Sequence, residues 1–292
     1  MRLLRGERLV RWKSGEASWV LLKCALTAAL LAATSVPSRA DEPAKEPEFG
    51  WREMWLGADV SQDVWLIYTG VTLAPLSKDM YSDGLRLRLN SGYGQYSYKA
   101  TNTLTKHCPV NTQKTQLACI NVDVDISYVD ALVGYQIRVG ELTAKAFIGA
   151  SMVSHNATEK ALGNSLLTRE FGPTGALELW LNLGEQGWTS LDLSFTTAHE
   201  TGAGRWRAGW RALPTLSIGP EIRFDRNSLE GSGRIGAFAR YEWLGGEISV
   251  AGGVAQRMHD PWNEKIDNVN GTKNSTDHDL APYATINFLT QF

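Results

Sequence analysis

From Trp51 to Phe292, apolar and polar side chains take turns along the chain, and this period of two constrains the fold more than any other feature. It is the mark of β-strands whose two faces meet different surroundings. Arg205, Arg207, Gly209 and Arg211 alternate with Trp206, Ala208, Trp210 and Ala212, so one face is cationic and the other aromatic or small. Leu216, Ile218, Ile222 and Phe224 alternate with Ser217, Glu221, Arg223 and Asp225. Ile235, Ala237, Ala239, Tyr241 and Trp243 alternate with Arg234, Gly236, Phe238, Arg240 and Glu242. Leu85, Leu87 and Leu89 stand against Arg86 and Arg88.

Twelve such segments are predicted, at about 52–60, 64–74, 84–99, 122–139, 142–154, 169–183, 188–199, 204–213, 215–226, 232–243, 246–258 and 280–292. Short turns at Gly140-Glu141, Gly184 to Gly187, Leu213-Pro214 and Leu244 to Gly246 exchange with longer polar loops at about 100–121, 155–168, 227–231 and 259–279. The exceptions are a longer connection at 75–83 and tight ones near 61–63 and 200–203. A soluble β-sandwich also alternates. Against it stand segments of about ten residues or more, which suit tilted strands crossing a bilayer. The polar face carries fixed charge on nearly every strand, which a dry sandwich core could not hold. Trp51, Trp180, Trp188, Tyr241 and Trp243 fit an interfacial girdle near the short-turn ends. The reading is an all-β, closed, transmembrane antiparallel up-and-down barrel of about twelve strands, with both termini on the short-turn rim.

The N-terminus narrows the setting. Residues 1–40 combine Arg2, Arg5, Arg8, Arg11, Lys13 and Lys23 with an apolar stretch from Cys24 to Thr34 and a small-x-small site at Ser38-Arg39-Ala40. That is the layout of a secretory signal peptide; an uncleaved anchor is the alternative. Residues 41–50 read as an acidic periplasmic tether and 51–292 as the barrel, which places the chain in the outer membrane of a Gram-negative bacterium. Residues 41–292 hold 22 basic and 29 acidic residues, a net of −7, so no basic footprint for nucleic acid exists. Two cysteines remain in that exported portion, Cys108 and Cys119, in one polar segment, and they read as a local disulfide.

No reactive constellation emerges. The five histidines, His107, His155, His199, His259 and His278, fall at strand ends or in loops, without metal-ligand spacing. His199, near Ser194, Thr196 and Thr197, reads as a rim histidine rather than half of a hydrolytic pair. Asp123-Val-Asp125 lacks the glycine and glutamate of a calcium loop. The chain therefore reads as a non-enzyme without metal or cofactor.

The final strand, with Ala284, Ile286, Phe288 and Phe292 on one face, resembles the terminal strand of outer-membrane barrels, whose last aromatic is read by the barrel-assembly machinery. A second resemblance spans about 50 to 292. It rests on Arg88 to Tyr98 (RLNSGYGQYSY), Asp130 to Gly140 (DALVGYQIRVG) leading into Leu142 to Gly149, Leu177 to Trp188 (LELWLNLGEQGW), Ser217 to Glu221 (SIGPE) and Gly233 to Trp243 (GRIGAFARYEW). These stretches, in this order, resemble the cellulose biosynthesis protein BcsS family. The resemblance implies an outer-membrane component of bacterial cellulose or exopolysaccharide secretion, either a glucan exit path or an accessory that positions the exit machinery. It implies no catalytic residues. A general small-solute porin, and an outer-membrane enzyme acting on lipid or glycan, are the rival readings.

The barrel reading assigns an interior to the polar face. Inward positions include Arg86, Arg88, Asp130, Arg138, Glu178, Arg205, Arg207, Arg211, Glu221, Arg223, Arg234, Arg240 and Glu242. Both signs occur, so the charges either pair into a polar core or line a hydrated path; twelve strands lie between filled eight-stranded and open larger barrels. Inward Tyr96, Tyr98, Trp55, Trp180 and Phe238 add faces on which sugar rings stack, as well as rings that can pack among themselves.

Overall fold

The computed structural model describes residues 50–62, 64–77, 79–100, 120–157, 169–227, 231–258 and 280–292. They form twelve antiparallel strands: β1 (Arg52–Ser61), β2 (Val64–Leu73), β3 (Gly84–Ala100), β4 (Ile120–Val139), β5 (Leu142–Ala157), β6 (Arg169–Leu183), β7 (Gly187–Thr196), β8 (Gly202–Leu213), β9 (Leu216–Arg226), β10 (Gly231–Trp243), β11 (Gly246–Met258) and β12 (Leu280–Gln291). Each pairs with its neighbours in sequence, and β1 pairs with β12, so the sheet closes on itself. Closure is an antiparallel seam in which Asp59 faces Thr285 and Glu53 faces Gln291. Beyond it Arg52 N–H donates to the Phe292 carbonyl at 3.2 Å, and Phe292 N–H donates to the Arg52 carbonyl at 3.0 Å. A closed sheet has no edge, which is the condition for a β-structure to sit in hydrocarbon.

The alternation in sequence becomes inside and outside. Large apolar residues stay exposed around the outer face, among them Leu56, Leu89, Tyr135, Ile148, Phe195, Trp210, Ile222, Ile235 and Val250. An all-round apolar belt of this kind suits lipid rather than water. The buried polar residues, including Glu53, Asp59, Arg86, Arg88, Arg207, Glu221 and Arg234, lie on the other face. The short turns hold glycines in the left-handed region, with φ of 57° at Gly140, 71° at Gly184 and 80° at Gly245, where a side chain would be strained.

The wall is uneven. Strands β1, β2 and β7 have 10 residues each, about what a bilayer crossing takes. Strands β3, β4, β5 and β6 have 17, 20, 16 and 15, so they run on past the crossing at the end away from the short turns.

Two expectations change. The seventh strand stops at Thr196, because Ala198–Glu200 forms a 3-10 turn with His199 and Glu200 at φ 49° and 48°. Trp180 and Trp188 do not join the girdle: Trp188 is 1% exposed and stacks inside on Trp180. Trp51, Tyr241 and Trp243 do remain on the outside. The 75–83 connection is longer than the other short-rim turns because part of it packs inward. Met80 is buried, Met80 N–H donates to the Gly50 carbonyl at 3.2 Å, and Asp79 Oδ1 accepts from the Tyr81 and Ser82 amides.

Candidate functional site: the charged and aromatic barrel interior

Register places the predicted polar residues on common inward rows. Asp192 faces Arg205, which faces Arg223, which faces Arg234. Ser190 faces Arg207, which faces Glu221. Like charges as close neighbours on three adjacent strands require carboxylates to reach in from elsewhere. Asp59, on β1, is that partner. Its carboxylate lies 2.6 Å from Arg234 Nη1 and 2.6 Å from Arg223 Nη1, and Thr285 Oγ1 donates to it at 3.3 Å. Asp225 completes the group at 3.1 Å from Arg223 and 3.6 Å from Arg234. Two acids thus neutralise two guanidinium groups.

Further pairs repeat the pattern. Arg207 Nε donates to Glu221 at 2.6 Å, and Glu221 also accepts from the Tyr283 hydroxyl at 3.4 Å. Arg205 holds Asp192 at 2.8 Å. Arg88 pairs with Glu178 across two intervening strands, and Lys145 lies 3.6 Å from Glu178 and 3.9 Å from Glu53. Arg240 pairs with Glu247 and, at 2.8 Å, with Glu242. Pairing of this kind offsets the cost of burying each of these charges.

Three of the predicted cations are held by neutral groups. Arg211 donates to Asn182 Oδ1 at 2.9 Å and to the Glu185 carbonyl at 3.0 Å. Arg86, fully buried, donates to the Leu85 and Met80 carbonyls at 2.9 and 3.4 Å, and to Ser82. Arg138 is exposed, its guanidinium 6.0 Å from the Tyr81 ring. Asp130 accepts from Ser151 Oγ at 2.5 Å.

The aromatic residues sort by side. Trp180 and Trp188 stack at 4.2 Å, Phe238 packs on Trp188 at 5.4 Å, and Arg240 covers both indoles at 4.6 and 5.2 Å. These rings form a packed cluster on the β6–β11 side. Trp55 lies on the opposite wall under Arg88, 5.1 Å away. Tyr96 sits in the upper wall, its hydroxyl 3.5 Å from His155 Nδ1. The side chain of Tyr98 and all of Cys108 and Cys119 lie outside the described residues. Phe288 is on the outer face against Trp243 at 5.7 Å, and Phe292 is beside Arg52 at the closing seam.

One grouping escaped the sequence. His155 and His199 lie face to face, ring centroids 4.2 Å apart at 11°, both buried. Glu170 Oε2 accepts from the His199 amide at 2.7 Å. The turn after β7 folds inward and carries His199 to the tall wall; a rim position was the expectation. Alternation gave no hint of this, since His199 sits where the period of two has ended. Among the described residues no cluster of three or more metal-ligating side chains occurs.

A family profile described as cellulose biosynthesis protein BcsS matches residues 54–267. No curated protein matches the chain. Among solved structures, the chain is similar to a TodX deltaS2S3 mutant monoaromatic hydrocarbon channel, with TM-score 0.47, 9% identity, and 83% of this chain and 91% of that one covered. It is similar to the transport unit of the autotransporter AIDA-I from Escherichia coli, with TM-score 0.46, 12% identity, and 91% and 97% covered. It is also similar to the KdgM porin, with TM-score 0.41, 7% identity, and 82% and 99% covered.

Proposed function

The chain belongs to the cellulose biosynthesis protein BcsS family, and from that premise we propose that it is an outer-membrane barrel that accompanies the glucan chain out of the cell as an accessory of the secretion machinery. Residues 1–40 direct export, residues 41–50 tether the barrel on the periplasmic side, and Phe292 is presented to the barrel-assembly machinery. The glucan and other cellulose-secretion components are its partners.

One observation carries the preference for an accessory over a wide solute pore. Ion pairs join strands that are not neighbours: Asp59 on β1 to Arg234 on β10, and Arg88 on β3 to Glu178 on β6. Such chords run through the space that a porin keeps open for water. The test has two arms. Deletion of the gene, complemented with the wild-type chain, is expected to lower and then restore cellulose at the cell surface. The purified barrel in planar bilayers is expected to show little steady conductance. Large, salt-dependent conductance together with normal cellulose in the deletion strain would leave the porin reading in its place.

A further inference from the structure

The wall formed by β1 to β5 differs from the packed half opposite. Trp55, Tyr68 and Tyr128 point inward there and remain half-buried, whereas Trp188 and Phe238 are 1% and 4% exposed. Each of the three rings lies against a glycine of the neighbouring strand. A Cβ on Gly70 would fall into the Trp55 indole, one on Gly57 into the Tyr68 ring, and one on Gly92 into the Tyr128 ring. A ring laid on a glycine lies against the wall and presents its other face to the interior.

Two adjacent register rows build this surface. In one, Gly57, Tyr68, Gly92 and Tyr128 follow one another from β1 to β4. In the other, Trp55, Gly70, Asn90, Asp130 and Ser151 run from β1 to β5. Tyr68 and Tyr128 are two strands apart, about 10 Å at the usual strand spacing. That is close to the length of two linked sugar rings. In a barrel whose strands tilt by about 40°, such a row climbs the wall obliquely.

The polar groups beside the rings are half used. Asn90 and Ser151 donate to the Asp130 carboxylate, which leaves Asn90 Oδ1 buried without a partner among the described residues. The Tyr68 hydroxyl donates to Asn287 Oδ1 at 2.5 Å, which leaves Asn287 Nδ2 buried and likewise unpartnered. One orphan acceptor and one orphan donor flank the same rings. A buried polar group without a partner is unfavourable, so such a pair calls for a guest that can both donate and accept.

We infer that this wall is a saccharide subsite for a flat, neutral β-linked glucan, with Tyr68 and Tyr128 as stacking platforms, Trp55 and Arg88 at its edge, and Asn90 and Asn287 as hydroxyl partners. The inference deepens the cellulose reading by naming where the glucan touches the barrel. Stacking takes the apolar faces of the sugar rings, and the two amides take hydroxyls at their rims. A helical α-linked glucan does not offer successive flat faces at this spacing.

The experiment is isothermal titration calorimetry of the purified full barrel with cellohexaose and, in parallel, maltohexaose. Heat-modifiable migration checks that each variant is folded. Cellohexaose is expected to bind and maltohexaose to bind at least about tenfold more weakly, a difference of about 1.4 kcal/mol. Tyr128→Leu, which keeps an apolar filler, and Asn90→Ala are each expected to weaken cellohexaose about tenfold with folding intact. Tyr68→Phe, which keeps the ring and frees Asn287, is expected to weaken it less. Equal binding of the two sugars, no binding of cellohexaose, or unchanged affinity in the folded Tyr128→Leu barrel overturns the subsite. Cellulose yield is not read here, so the subsite can fail while the role in secretion stands.

Discussion

Arg234 Nη1 lies 2.6 Å from both carboxylate oxygens of Asp59, although β10 and β1 are separated by two strands around the wall. Both side chains are almost wholly buried, 4% and 2% exposed. Asp59 therefore does more than cap one arginine; with Arg223 also 2.6 Å away, it ties β1 to β9 and β10 through the interior. Removing one partner from a buried ion pair leaves an uncompensated charge, which costs about 3–5 kcal/mol. Asp59→Asn keeps the shape and deletes the charge, so it is expected to destabilise by about that amount. The urea midpoint for loss of the heat-modifiable form measures it. The exposed pair of Arg226 and Glu200, 3.8 Å apart, is the control, where Glu200→Gln is expected to change stability by less than about 1 kcal/mol.

Trp188 and Gly209 make a second testable contact. They face each other across β7 and β8, and a Cβ on Gly209 would enter the Trp188 indole. Trp188 cannot retreat, because Trp180 stacks on it at 4.2 Å and Phe238 packs on it at 5.4 Å. Gly209→Val is thus an overpacking change, expected to cost about 1–3 kcal/mol. It is also expected to weaken the coupled near-ultraviolet dichroism of the stacked indoles. Gly202→Ala, where the nearest atoms stand at 3.5 Å, is expected to leave that signal intact.

These cases mark what the sequence discloses. The side to which Arg205, Arg207, Arg223 and Arg234 point follows from their alternation with bulky apolar neighbours. The shared partner of Arg223 and Arg234 does not, because Asp59 comes from β1 through closure and shear, which no local pattern records. Trp188 departs from its expected girdle position for a related reason. An aromatic near a turn is expected at the membrane interface, and only its facing glycine and the inward Trp180 show that the ring has room inside. The glycines at 57, 70 and 92 read as ordinary strand glycines until register sets each beneath a ring. His199 was out of reach because its position depends on a left-handed turn, with φ 49° at a residue that carries a side chain.

Arg86 tests whether the inward packing at the short-turn rim depends on one side chain. Its guanidinium donates to the carbonyls of Met80, Ser82 and Leu85, and Gln136 donates to the carbonyls of Met80 and Ser82 at 3.1 and 3.2 Å. Arg86→Met keeps length and apolar bulk but removes the donors, leaving buried carbonyls short of partners at about 1–3 kcal/mol. The connection is expected to loosen while the barrel stays closed. Chymotrypsin cleavage next to Tyr81 is expected to be slower in the wild type than in Arg86→Met. Equal cleavage rates would assign the anchoring to Gln136 and the Asp79 turn.

The stacked histidines predict a dependence on acidity. His155 stands near the far end of β5, beyond the roughly ten residues that cross a bilayer. Burial pushes its imidazole down from the usual value to about 4, and the neighbouring His199 pushes in the same direction, against Glu170. Tyr96 faces it from β3. In the unfolded chain the same imidazole takes its proton near pH 6.5. Between the two values the unfolded chain binds more protons, so stability rises with pH across that window. The contribution is fully present above about pH 6.5 and is lost as the pH falls toward about 4. His155→Phe keeps a flat ring against His199 and cannot be protonated. Urea midpoints taken at about pH 7 and about pH 5 are expected to differ in the wild type and to differ less in His155→Phe. An undiminished difference in the variant would place the acid sensitivity on other groups, with the interior carboxylates first among them.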